Sequence, residues 1–150
     1  MDNTNEQRVQ VKIERLMACR GDFRRLHAAS DRKRQAWWEA HKDSLRLQGA
    51  LPRQAYTLVL LLHMELDPNE VPVLCEDEHK IVWRSFNFCP TLEACLRLGL
   101  DTRQVCREAT EESVQNLIAR LDPRLRFARN YVDGIRPYAA YCEESIELVG

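Results

Sequence analysis

The chain has 150 residues, 45% hydrophobic and 30% charged, with five glycines and six prolines. That is enough to bury the core of one domain and unlike a low-complexity or collagen-like chain. The net charge of −1 does not point to nucleic acid as a partner.

The charge is uneven. Residues 1–53 hold 12 Lys/Arg against 7 Asp/Glu, and residues 54–150 hold 10 against 16. Solvated Arg-rich helix faces account for this, as does an anionic partner on the N-terminal helices. The opening Met1-Asp2-Asn3-Thr4-Asn5-Glu6 lacks a basic region followed by an apolar one, so no secretory leader is read there. The longest apolar run, Leu58 to Leu62, is far short of the roughly 20 residues of a membrane span. The expected place is therefore the cytoplasm, with no membrane partner. Cytosolic thiols stay reduced, so the six cysteines point to metal, catalysis or packing before disulfides.

In chain order, Val9, Ile13, Leu16 and Met17 recur at helical spacing over residues 5–27, with a break or kink at Gly21-Asp22. Ser30-Asp31 reads as the N-cap of a second helix reaching about Gln48, with Ala36, Trp37, Ala40, Ser44, Leu45 and Leu47 as its apolar set and Gly49 just past its end. Pro52 opens a third helix, residues 53–66, apolar nearly all round and so the expected central core helix. It stops at Asp67-Pro68.

The period then changes to two. Residues 71–76 and 81–88 read as a β-hairpin with Asp77-Glu78-His79 at its turn. Pro90 opens a short helix closed by Gly99. Asp101 caps a helix over residues 102–121, with Gln104 completing a capping box, and Asp122-Pro123 stops it. Leu125, Phe127 and Arg129 make a third strand, Asp133-Gly134 a turn, and Tyr138 to Leu148 a last strand. The expected fold is α+β in one domain of residues 1–150. A helical layer (1–66) packs on a small, mostly antiparallel sheet of about four strands within residues 67–150.

Four cysteines, Cys89, Cys95, Cys106 and Cys142, gather in the C-terminal part. If Pro90 is the first helical residue, Cys89 is the N-cap and its sulfur lies at the positive end of the helix. Thr91 is the competing cap. In the last strand, even-numbered residues share one face, and Ile146 and Leu148 make it the core face. Glu144 then points inward beside Cys142 and needs a partner, with Arg126 and Arg136 as candidates, or a catalytic task. Cys106 lies on the apolar stripe of its helix, and Cys19 and Cys75 read as packing residues. The four thiols are a candidate set for zinc or an iron–sulfur cluster, although their spacing contains no Cys-x-x-Cys knuckle. His63, on the core helix, is a ligand, a base or a satisfied core histidine. Gly-rich phosphate loops, nucleophile elbows and His-Glu-x-x-His helices are all missing from the sequence.

Trp83, Cys89-Pro90, Gly99-Leu100, Cys106, Leu121-Asp122-Pro123, Arg136-Pro137 and Tyr141-Cys142-Glu143 together resemble small bacterial cytosolic proteins. These are similar to the L-2-amino-thiazoline-4-carboxylic acid hydrolase group and to 4-vinyl reductase-like domains. The resemblance implies that Cys89, Cys106 and Cys142 converge at one pocket on a helix-covered sheet, and it suggests hydrolysis of a small sulfur-containing heterocycle. Three functions follow as expectations. The first is a cysteine-centred binding protein that holds a metal, a cluster or a small ligand. The second is a small-molecule hydrolase using Cys89 or a thiolate-bound metal, with Glu144 as acid or base. The third is an interaction module docking a protein through Arg32, Lys33, Arg34, Trp37 and Trp38.

Overall fold

A computed structural model describes residues 3–150, so the first two residues of the N-terminal stretch read for a leader lie outside the described residues. The fold is α+β, with five helical stretches over a four-stranded antiparallel sheet of order β1-β2-β4-β3.

Helix α1 (Asn3–Ala18) buries Val9 and Leu16, which lie on one face with Lys12 and Ile13 at steps of three and four. It ends where Arg20 (φ 50) and Gly21 (φ 85) turn left-handed, so the anticipated break ends the helix outright. A short 3-10 turn, Phe23–Leu26, follows and runs directly into α2 (His27–His41). Ser30-Asp31 therefore lies inside α2 and caps nothing. Asp31 instead accepts from Asn116 Nδ2 at 3.0 Å, a tertiary use that propensity does not foresee. The helix stops at His41 and becomes a 3-10 turn, Lys42–Ser44, well before Gln48. Trp37 and Trp38 both pack, half-buried, against the main core.

Helix α3 (Leu51–Tyr56) carries Pro52 in its first turn and widens into a π-helical stretch, Thr57–His63. Ala55, Tyr56, Leu58, Val59 and Leu60 are buried, while Leu62 stays 38% exposed. The central core helix thus keeps one edge at the surface. Tyr56 donates to the Val71 carbonyl at 2.5 Å, tying this helix to the start of the sheet.

Strands β1 (Val73–Glu76) and β2 (Lys80–Ser85) form the expected hairpin. Asp77 Oδ1 closes its turn by accepting from the His79 and Lys80 amides. Strand β2 ends at Ser85, short of Phe88. Helix α4 (Pro90–Leu98) ends at Gly99 with φ 68, the left-handed stop a glycine allows. Helix α5 (Thr102–Cys106) is capped by Asp101, which accepts from the Arg103 amide. It continues through a π-helical turn, Arg107–Glu111, into α6 (Glu112–Ile118).

Strand β3 (Leu125–Arg129) pairs with β4 (Cys142–Leu148), and β4 pairs with β2. The last strand begins four residues later than expected. A turn containing a cis Arg136–Pro137 bond precedes it, and Tyr138 is half-exposed rather than on the inner face. The register sets Ile146 beside Ile81 and Phe127, Glu144 beside Trp83 and Arg129, and Cys142 beside Ser85. The even face of β4 is therefore the face toward the helices.

Two apolar clusters hold the fold. The larger joins α3, α6 and the inner sheet face through Leu58, Ile81, Trp83, Leu117, Ile118, Leu125 and Ile146. The smaller joins α1, α4 and α5 through Leu16, Cys19, Phe23, Ala94, Cys95 and Val105. Each large apolar side chain so buried contributes roughly 1.5–3 kcal/mol. Where the sheet runs from the first cluster toward the second, its inner face changes from hydrocarbon to Arg129, Glu144, Ser85 and Cys142.

Candidate functional site

The site is this polar seam. Cys89 is the N-cap of α4, with φ −129 and ψ 110, and its sulfur accepts from the Leu92 amide at 3.5 Å. Pro90, locked near helical φ and without an N–H of its own, explains why the helix starts there and not after Thr91. Cys106 lies one turn beyond Thr102 on α5. The Thr102 hydroxyl donates to the Arg136 carbonyl at 2.7 Å, which fixes that face of the helix against the turn leading into β4. Burial pushes the Cys106 thiol up to about 12, and the nearby Cys89, Cys142 and Cys95 add to this against the pull of Arg129. Cys95 is fully buried, and burial, with Cys89 nearby, takes it up to about 11. Cys106 is thus the thiol near which the other three, from α4 and β4, come together.

Cys142 is held differently. Its sulfur accepts from both the backbone amide (3.5 Å) and Nε (3.4 Å) of Arg136, whose Nη1 donates to the Asn87 carbonyl at 2.7 Å. Arg136 is thus the partner of Cys142 and not of Glu144. Arg126 points elsewhere and donates to the carbonyls of Pro123 and Leu125. The partner of Glu144 is Arg129, Nε to Oε2 at 3.0 Å, with side chains only 14% and 11% exposed. Ser85 donates to the other carboxylate oxygen at 3.0 Å. Burial works against the Arg129 charge, yet Glu144 beside it holds the guanidinium pKa above its ordinary value. Arg129 Nη1 also donates to the Cys106 carbonyl (3.2 Å) and to Thr110 Oγ1 (3.3 Å).

The opposite wall comes from the helices. Arg34 of α2 turns inward and donates from Nε to Ser113 Oγ at 3.0 Å; the fully buried Ser113 in turn donates to the Thr110 carbonyl at 2.8 Å. Burial and the neighbouring Arg129 bring the Arg34 guanidinium down to about 10, against the opposing pull of Glu144 and Asp31. Lys12 of α1 also faces in. Burial lowers its pKa, as do Arg15, Lys33 and Arg34, with only Cys89 opposing. Among the described residues three polar atoms are buried without a partner: His27 Nδ1, His63 Nδ1 and Trp83 Nε1. His63 is thus not a satisfied core histidine. Burial, then Arg34 and Lys33, bring it down to about 4.

Arg129 is legible as an inward residue from the alternation Leu125, Phe127, Arg129, but its role as the Glu144 partner needs the register between β3 and β4. Lys12 lies three residues after Val9 and four before Leu16, so it shares their face. Arg34 is hidden in sequence by its exposed neighbours Arg32 and Lys33. Those two remain exposed, while Arg34 turns inward and Trp37 and Trp38 pack half-buried against the main core. Cys75 is not a packing residue either. It is exposed beside Val82 on the outer face of the sheet, because the parity that buries Trp83 turns Val82 and its neighbour outward.

Among the described residues, no group of three or more His, Cys, Asp or Glu side chains is arranged to hold a metal ion. Cys89 and Cys142 already accept protein N–H groups, and burial favours the protonated forms of Cys95 and Cys106. Of two surface depressions, one, of about 220 Å³, lies on the outer sheet face around Val82, Ala128 and Ser145 and is also lined by Arg129 and Glu144 of the seam. The other, of about 440 Å³, lies between Trp37, His41, Leu45 and Leu62. Neither is lined by a cysteine. None of the described helices is long and apolar enough to cross a membrane.

Compared with known proteins, the chain matches no family model, no curated protein and no solved structure. The resemblance carried by residues 83–144 therefore stands on those residues alone.

Proposed function

We propose that this chain is a binding protein for a small molecule held in the seam between the helical layer and the inner sheet face, against Cys89, Cys106 and Cys142. One observation carries the reading. At the place where two apolar clusters would otherwise merge, the fold gathers an ion pair, three half-buried thiols and the inward-turned Arg34. Burying charge is costly unless it is paired, so such a seam is retained most simply for a polar occupant. The binding reading stands ahead of the hydrolase reading because both oxygens of Glu144 already accept hydrogen bonds, which leaves it poorly placed to take a proton from a substrate. Metal or cluster binding remains an arm of the test, with no step derived through it.

Native mass spectrometry and elemental analysis of anaerobically purified chain test this. The expected result is one small molecule per chain, whose removal speeds alkylation of Cys142 and Cys106. Stoichiometric zinc or iron would instead support the metal form. A chain that carries nothing, with thiol reactivity unchanged by any added small molecule, refutes the proposal.

A further inference from the structure

The occupant's chemistry follows from the charges around it, and this step rests on the binding reading above. Four cations face the seam, Lys12, Arg34, Arg129 and Arg136, the last bonded to Cys142, and two carboxylates, Glu144 and Asp31, answer them. Glu144 is committed to Arg129 and Ser85, and Asp31, the other acid near Arg34, accepts from Asn116. Arg34 uses only Nε, on Ser113. Its two terminal nitrogens have no protein acceptor, yet they are not among the sealed, unpartnered atoms. They therefore open onto space that something else can reach. Lys12 has neither a hydrogen bond nor an ion pair among the described residues.

The two guanidinium groups are also held in a fixed relation. Arg34 rests on Ser113, and Arg129 on Thr110, one turn earlier on the same helical run; Ser113 is bound to the Thr110 carbonyl. Two like charges fastened to successive turns of one element repel each other. The arrangement is stable with a counter-anion between them, and a guanidinium fork with free terminal N–H groups suits a planar or tetrahedral oxyanion.

We propose that the ligand carries a doubly charged oxyanion, as in a phosphate monoester, bound by the free edge of Arg34 with Lys12 and Arg129 completing its neutralisation. The double charge follows from the count, four cations less two carboxylates. A singly charged carboxylate would leave the seam with an excess positive charge.

Calorimetric titration of the full chain at pH 7.5, at constant ionic strength, tests this with sulfate, inorganic phosphate, phenyl phosphate and acetate. Sulfate and phosphate are expected to bind at one site, and acetate at least tenfold more weakly. Arg34→Met should weaken sulfate at least tenfold and Lys12→Met severalfold, while Arg32→Met, on the exposed side of the same helix, changes nothing. If Arg34→Met does not fold, Arg34→Lys keeps the charge without the fork and should still lose affinity. Tighter binding of phenyl phosphate than of inorganic phosphate assigns the site to an organic ester, and the reverse to the free ion. Absence of sulfate binding, or equal binding by wild type and both seam variants, overturns the inference. If native mass spectrometry then finds a neutral molecule at the thiols, the binding reading survives and the anion does not. If sulfate binds through Arg34 while no ligand protects Cys142, the anion site survives and the thiol wall does not.

Discussion

Glu144→Gln separates the structural and the ligand-binding roles of the seam, because it should move stability and anion affinity in opposite directions. The substitution keeps shape and leaves an amide oxygen for Arg129 or Ser85 to donate to, but it removes the carboxylate that, among the described residues, pairs with a guanidinium that is 14% exposed. Breaking a buried pair by removing one partner costs roughly 3–5 kcal/mol. Arg129 retains the Cys106 carbonyl and Thr110 Oγ1 as acceptors, so about 2–3 kcal/mol is expected here. For a domain of this size that is a fall in Tm of roughly 4–12 °C. The seam meanwhile gains one net positive charge. A unit charge about 8 Å from a doubly charged anion, at an effective dielectric of about 20, is worth roughly 4 kcal/mol before screening. At physiological salt about 1.5 kcal/mol survives, a roughly tenfold gain in sulfate affinity. Chemical denaturation and calorimetry on the same preparation read both quantities. A second variant, Arg129→Met with Glu144→Gln, should cost less than the sum of the single changes, since neither charge is then left alone. Stability within about 0.5 kcal/mol of wild type would refute the buried pair, and weaker sulfate binding in a folded Glu144→Gln chain would refute the charge count.

Three further outcomes are expected. His63 is held neutral down to about 4 by burial and by Arg34, whereas unfolded histidine takes up a proton near 6.5. The unfolded state therefore binds more protons between these values, and stability falls as pH drops from 6.5 to 4. Discounted for the ring's partial exposure, His63 accounts for about 1–2 kcal/mol of that fall; His63→Phe should flatten the denaturation profile in this window, and an unchanged slope would show that the ring titrates freely. At Gly134 an added Cβ would lie 2.9 Å from Asn130 Nδ2 and 3.0 Å from Glu143 Cβ. Gly134→Ala should therefore lower stability by about 1–3 kcal/mol, read by urea denaturation, and a neutral result would mean that the turn before β4 adapts. Iodoacetamide with peptide mapping should label exposed Cys75 first and fully buried Cys95 only on unfolding; equal native rates would contradict the outer placement of β1's Cys75.

Periodicity made the strands legible to the extent that side-chain parity decides their faces. The inward face of β4 followed from Ile146 and Leu148, and Cys142 and Glu144 came with it. The start of β4 did not follow, because Tyr138 and Ala140 keep the same parity while a turn with a cis proline occupies the chain. Caps were legible where one residue had no rival, as with Asp101, whereas Cys89 and Thr91 competed until the helix start at Pro90 decided for Cys89. They misled at Ser30-Asp31, where good capping chemistry is overridden by a helix already running and Asp31 bonds across to α6 instead. The partner of Glu144 was out of reach for a different reason. Three arginines lay within plausible distance along the chain, and only strand register chooses among them.

The π-helical turn Arg107–Glu111 explains why the seam exists between two cores that each pack well. A regular helix from Thr102 to Ile118 would carry its apolar stripe through at about 100° per residue. Val105 and Ala109 belong to the smaller cluster, and Val114, Leu117 and Ile118 to the larger. The wide turn between them lets one helical run serve both. It also presents residues 110 and 113 at the changeover, and these are the side chains on which Arg129 and Arg34 rest. Such wide turns recur at functional sites because the extra residue is costly unless the redirected side chains have a use. Here Thr110 and Ser113 hold two guanidinium groups apart at a fixed spacing, a use that hydrocarbon packing alone would not require.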